Sequence, residues 1–160
     1  MHKTRHDLSK DVRKKAIGLL QARLADALSL VLACKQAHWT TRGPGFASLH
    51  KFFDELADGV EGHADEIAER ITALGGQPHG TVEAGAGQSS LKPYPLDLVQ
   101  ETRHLEALAD RFAAFGASVR ADIDRSDKLG EAGTADLFTQ VSRAVDKALW
   151  MIEAHSGKNH

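Results

Sequence analysis

The 160-residue chain is short of several things, and each shortage excludes something. It has one cysteine, Cys34, so no intrachain disulfide can form, which fits a reducing compartment. Cys34 lies inside an apolar helical segment and reads as a buried, inert thiol. No apolar run approaches the length of a membrane span, and the polar N-terminus lacks the apolar core of a signal peptide. Neither charge sign dominates: 20 Lys and Arg stand against 22 Asp and Glu, a net charge of −2, so the body is not a basic nucleic-acid binder. There is no strand pattern and no internal repeat. What is present is ordinary for one soluble domain with a real core, 42% hydrophobic and 26% charged.

Four segments carry helical periodicity. In the first, Ile17, Leu20, Leu24, Leu28, Val31, Cys34 and His38 step by three or four, with Ser9 or Asp11 as cap. Leu19, Leu30 and Leu32 add apolar surface off that stripe, which predicts burial on more than one side and hence oligomerisation. Arg42-Gly43-Pro44-Gly45 must be a loop. A second helix, Phe46 to Leu74, ends at Gly75-Gly76, a C-cap signal. A Gly-, Ser- and Pro-rich connection from Gln77 to Lys92 follows, with a short helix expected over Thr81 to Ala86. Pro95 sits where the third helix could begin, and that helix carries Leu98, Leu105, Leu108, Phe112, Phe115 and Val119. The fourth runs from about Ala132 to Ala154, with Leu137, Val141, Val145, Leu149 and Ile152 inward. The expected fold is all-α: a four-helix bundle over residues 13–156 with a short helix or loop in the central crossover, after a mobile basic tail of residues 1–12.

The chemistry concentrates between His38 and Glu69. His50 and Asp54 are four residues apart, and so are Asp65 and Glu69, so each pair shares a helix face. Imidazole mixed with carboxylate suits iron or manganese. Asp54 and Asp65 point the same way, yet 11 residues of helix separate them by about 16 Å. One ion needs ligands at about 2 Å, so a straight helix cannot bring both pairs to it. Either there are two weak half-sites, or one site is built between two chains; a plain solvated acidic face is the rival. A two-fold axis near Gly59–Val60 would lay His50 against Glu69, and Asp54 against Asp65, of a second copy. The histidines and that symmetry favour two identical metal sites across an antiparallel dimer.

Gln36-Ala37-His38-Trp39, Arg42-Gly43-Pro44, Leu49-His50, Phe53-Asp54 and Asp65-Glu66-Ile67-Ala68-Glu69-Arg70 resemble the signature of the Dps family. The likeness continues through Ala73-Leu74-Gly75-Gly76, Tyr94-Pro95-Leu96-Asp97 and Asp146-Lys147-Ala148-Leu149-Trp150. Those are DNA-protecting, ferritin-like mini-cages of starved bacteria. The resemblance implies a ferritin-like bundle, a dodecamer in the cytoplasm, and ferroxidase sites at two-fold interfaces. Carried over, one subunit supplies His38, His50 and Asp54, and its partner supplies Asp65 and Glu69. It implies Fe(II) oxidised with hydrogen peroxide and Fe(III) stored as mineral. The alternative is a non-enzymatic, nucleoid-compacting DNA binder whose metal site is structural.

Other residues are candidates at the edges of that reading. Asp58 and Glu61 fall near the ligand face and would draw cations towards it. The resemblance places Trp39 beside the site, where its ring could take up an oxidising equivalent. Asp127, Glu131 and Asp136 are candidates for an acidic iron-entry pore. Lys3, Arg5, Lys10, Arg13, Lys14 and Lys15 are candidates for sequence-independent phosphate contacts, diluted by Asp7 and Asp11. Glu101-x-x-His104 reads as a surface feature, Trp150 as core, and His63 as a core or interface histidine.

Overall fold

A computed structural model describes residues 1–85 and 87–155. It contains α1 (Lys10–Thr40), α2 (Phe46–Ala73), a one-turn α3 (Val82–Gly85), α4 (Glu101–Lys128) and α5 (Ala132–His155). Among the described residues there is no strand; Arg42 and Gln100 form one isolated parallel bridge. α1 packs mainly on α2 and α4 mainly on α5, with the chain crossing over between the pairs. This is the expected ferritin-like four-helix bundle with a short helix in the crossover. The expected ends at Ala86 and Ser156 lie outside the described residues.

The helix ends follow local chemistry. The Ser9 hydroxyl accepts the Val12 N–H at 3.2 Å, so α1 starts at Lys10, three residues before the expected boundary. Two contacts join the N-terminal region to the end of α2: His2 N–H donates to the Gly75 carbonyl at 2.8 Å, and Arg13 Nη1, from the first turn of α1, to the Leu74 carbonyl at 2.9 Å. At the end of α2, Gly75 adopts φ +84° and the Gly76 N–H reaches back to the Ile71 carbonyl at 2.8 Å. This cap needs a left-handed residue, which glycine adopts without strain.

α4 begins at Glu101, later than Pro95 suggested, and Leu98 lies outside it. Arg42 holds the preceding segment extended: its N–H donates to Val99 and its carbonyl accepts from Glu101 N–H. The Glu101 carboxylate in turn accepts the Gly45 N–H at 3.0 Å, at the start of α2. Gly43 adopts φ +156°, which L side chains rarely reach, and a Cβ there would also crowd that carboxylate, so both favour glycine.

The core is aromatic and aliphatic. Phe53, Phe112, Phe115 and Phe138 are wholly buried, and truncating any one to alanine costs about 3–5 kcal/mol. α1 is long and apolar enough to cross a membrane, with an 18-residue window of mean hydropathy 1.6. Half of that window is buried inside the bundle, against α2 and α4, so packing accounts for its apolarity. Trp150, expected in the core, is 65% exposed. Ile152, at a different angle on α5, fills the inward position instead.

Candidate metal centre

His38 on the last turns of α1 meets His50 on α2. Their rings stack with centroids 3.7 Å apart. Nδ1 of His38 lies 2.6 Å from the His50 carbonyl oxygen, and Nδ1 of His50 lies 2.8 Å from the His38 carbonyl oxygen. A carbonyl only accepts, so each Nδ1 carries the proton. In the neutral ring, Nε2 is then left with a free lone pair. A reciprocal lock of this kind fixes tautomer and ring orientation as metal-binding histidines require.

Asp54, one turn beyond His50, brings Oδ1 to 3.9 Å from His38 Nδ1. The same oxygen accepts from Lys35 Nζ at 2.5 Å. That hydrogen bond holds the Asp54 carboxyl below its usual range and pushes the Lys35 ammonium above its own. Asp58 is exposed, with an oxygen 3.7 Å from the same ammonium. The carboxylate end of the cluster therefore attracts a cation, here a lysine.

The structure places Asp65 and Glu69 on the exposed side of α2, further along one unbroken 28-residue helix. Among the described residues, no three His, Cys, Asp or Glu side chains converge closely enough to hold an ion. Thus His38 and His50 stack and Asp54 lies near His38, but the three do not converge on one point, and Asp65 and Glu69 lie further along the helix. Gly62 is exposed, and a Cβ there would meet nothing in this chain. Gly59 is likewise exposed, a Cβ there would also meet nothing in this chain, and it borders a groove between α2 and α5 with Val60 and His63. Glu61 faces a cavity of about 600 Å³ lined by Leu28, Val31 and Leu32 of α1 and Val82 of α3. Trp39, beside His38, is 66% exposed.

The outlying candidates fare differently. Asp127 and Asp136 are exposed. Glu131 is 2% exposed and unsuited to line a pore. Its carboxylate caps α5, accepting Thr134 N–H at 2.8 Å and Gly133 N–H at 3.2 Å, and it pairs with Arg70 Nη2 at 2.6 Å. Burial alone would raise its pKa, but the hydrogen bonds at Thr134 and the Arg70 charge outweigh this and lower it. An acidic residue directly before a helix start was the legible signal of that cap. Lys3, Arg5, Lys10, Lys14 and Lys15 are exposed, but Lys15 pairs with Asp11 at 2.8 Å, and Arg13 is engaged with Leu74.

Glu101 and His104 are not a surface pair. His104 is fully buried, and the Tyr94 hydroxyl sits 2.7 Å from its Nδ1. Cys34 is buried as expected, and burial pushes its thiol up to about 12, which keeps it protonated and unreactive.

The protein-family model for the ferritin-like domain matches residues 17–159. The chain is 41% identical over 154 residues to the "DNA protection during starvation protein" of Agrobacterium fabrum, spanning 96% of this chain and 95% of that one. It is 31% identical over 137 residues to the protein so named in Mycolicibacterium smegmatis, spanning 86% of this chain and 74% of that one. Among solved structures, a tetragonal form of Mycobacterium smegmatis Dps superposes with a TM-score of 0.90 at 30% identity, covering 97% of this chain and 93% of that one. An archaeal Dps homologue from Halobacterium salinarum gives 0.90 at 26% identity, covering 96% and 86%. Fold and family match together define a ferritin-like protein. Within that class, the chain belongs to the Dps family.

Proposed function

We propose that this protein stores and detoxifies iron, oxidising Fe(II) with hydrogen peroxide at sites shared between two copies of the chain. The observation that carries the reading is the reciprocal lock between His38 and His50, which leaves both Nε2 lone pairs free. Fe(II), as substrate, would be held by His38, His50 and Asp54 of one copy and by Asp65 and Glu69 of another. Neutral imidazoles with carboxylates favour the Fe(III) product. Asp58 and Glu61 extend negative charge along the approach, and exposed Asp127 and Asp136 remain candidates for an entry pore. Ferric product would collect inside a closed shell, a dodecamer by family likeness, in the cytoplasm.

Protection of DNA, the role in the names of the relatives, would follow from removing Fe(II) and peroxide together. Binding through the basic N-terminal residues is less well supported, because Arg13 is engaged, Lys15 is paired and the net charge is −2. Salt-sensitive retardation of DNA by the full-length protein, lost on removing residues 2–15, would bring the nucleoid-compacting reading forward.

The shared site has a decisive test. His50→Ala and Asp65→Ala subunits are each assayed by stopped-flow formation of ferric product, then mixed through a dissociation–reassociation step. A site within one chain leaves the mixture as inactive as its parents. A site across a two-fold axis restores about a quarter of wild-type activity, because half the dimers are mixed and each holds one intact site.

A further inference from the structure

A second redox-capable cluster lies under the candidate centre, using none of its ligands. Tyr94, the only tyrosine, hangs from the crossover and points its hydroxyl at Nδ1 of His104, 2.7 Å away. The Thr40 contact favours one direction for that hydrogen bond. Thr40 gives its hydroxyl proton to the Gln36 carbonyl at 2.7 Å, so Thr40 Oγ1 can only accept from His104 Nε2, 3.4 Å away. Nε2 therefore carries the ring proton and Nδ1 the lone pair, and the Tyr94 hydroxyl donates to Nδ1.

The electrostatics make the phenol proton follow an electron. Burial pushes the Tyr94 hydroxyl well above its ordinary range and pushes His104 down, so both are neutral at neutral pH. The buried Arg111 guanidinium stands 5.8 Å above the Tyr94 ring. One Arg111 nitrogen donates to Ser29 Oγ at 3.0 Å, and the other two have no partner. A positive charge so placed disfavours a tyrosine radical cation, so the proton must leave as the electron does. Nδ1 of His104 is within proton-transfer reach. The pair is also joined to the centre: Thr40 is two residues from His38, and Phe53, which precedes Asp54, lies edge-on to His104 at 6.2 Å.

We propose that Tyr94 and His104 form a proton-coupled electron reserve that quenches one-electron oxidants of the hydroxyl-radical class formed when Fe(II) meets peroxide. The inference takes its oxidant from the ferroxidase reading above. One electron passes from the phenol to the hydroxyl radical, giving hydroxide, and the phenol proton passes to Nδ1, giving a neutral tyrosyl radical and an imidazolium. One electron from a further Fe(II), which becomes Fe(III), then reduces the radical, and the proton returns to the phenol oxygen. Exposed Trp39 and Trp150 would otherwise carry the hole at the surface of the chain.

The test is freeze-quench electron paramagnetic resonance on the assembled, full-length protein after Fe(II) and peroxide. A second arm generates the hole without iron, by flash photolysis of a ruthenium polypyridyl sensitiser with persulfate. The expected result in both arms is a tyrosyl signal, lost in Tyr94→Phe and several-fold weaker in His104→Gln. In deuterated water the wild-type radical should show an exchangeable hydrogen-bonded deuteron, a readout that needs no variant to fold. Ferric product should form at the wild-type rate in Tyr94→Phe. A tryptophan radical alone, an equal yield in folded His104→Gln, or a tyrosyl radical without the deuteron overturns the proposal. A radical seen in photolysis but not in a protein that oxidises iron also overturns it. If iron oxidation itself is absent while photolysis gives the hydrogen-bonded radical, the ferroxidase reading fails and the pair survives.

Discussion

The two ends of α2 are built on different plans. Near its start, His50 is locked to His38, and Asp54 is held by Lys35, all within one chain. Nearer its end, Asp65 and Glu69 stand in solvent, while the next residue, Arg70, is bonded to buried Glu131. One end of the candidate site is thus preorganised by folding, and on the proposed reading the other would be completed only by a second copy. Function and stability should separate accordingly along this one helix.

The largest effect expected from that contrast is on activity. Asp65→Ala should abolish peroxide-driven iron oxidation while changing the unfolding free energy of the chain by less than about 0.5 kcal/mol, as for other exposed positions. His50→Ala should abolish the activity too, but should also cost about 1–2 kcal/mol, because it leaves the His38 carbonyl without its donor. Chemical denaturation beside the stopped-flow assay reads both. If Asp65→Ala destabilises as much as His50→Ala, the acidic pair has a structural role and the contrast collapses.

Glu131→Ala inverts the pattern. It removes the cap of α5 and the partner of Arg70 together, so it should cost about 2–4 kcal/mol with the ligand face untouched. The pH dependence has a definite sign. Glu131 has a depressed pKa in the folded state, so its stabilisation is fully present above the ordinary glutamate value and is lost as pH falls through the depressed one. The gap between wild type and variant should be widest near neutrality and shrink progressively once pH falls below the ordinary glutamate value. A gap independent of pH would mean that packing, not charge, holds this corner.

These contrasts also show what can be read from residues alone. Helices were legible wherever the signal is local: the stripe of α1, the Gly75-Gly76 cap and the start of α5 all follow from near neighbours. The spacing of His50 and Asp54, and of Asp65 and Glu69, along α2 was legible because helix geometry converts sequence separation into distance. The misreadings arose where a partner comes from far along the chain. His104 read as a surface residue because Tyr94, which satisfies it, comes from an irregular connection. α4 started late because Arg42, nearly 60 residues earlier, holds its leader extended. Glu131 read as a pore acid because Arg70 is 61 residues away. The side-chain lock of His38 and His50 onto each other's carbonyls had no sequence signal at all.

The smallest expected effect sharpens the N-terminal half itself. Lys35 lies on Asp54 and, on the proposed reading, would have to yield that carboxylate to a metal cation. The pair is partly exposed, with side chains 28% and 39% accessible, so its strength is that of a screened surface ion pair rather than a buried one. Lys35→Met keeps the length of the stem and removes the charge. Titration with Co(II), a redox-inert stand-in for Fe(II), should show roughly two- to fivefold tighter binding. Unchanged or weaker binding would mean that the ammonium orders Asp54 for the metal instead of competing with it. The N-terminal half would then be less complete in one chain than its locked histidines suggest.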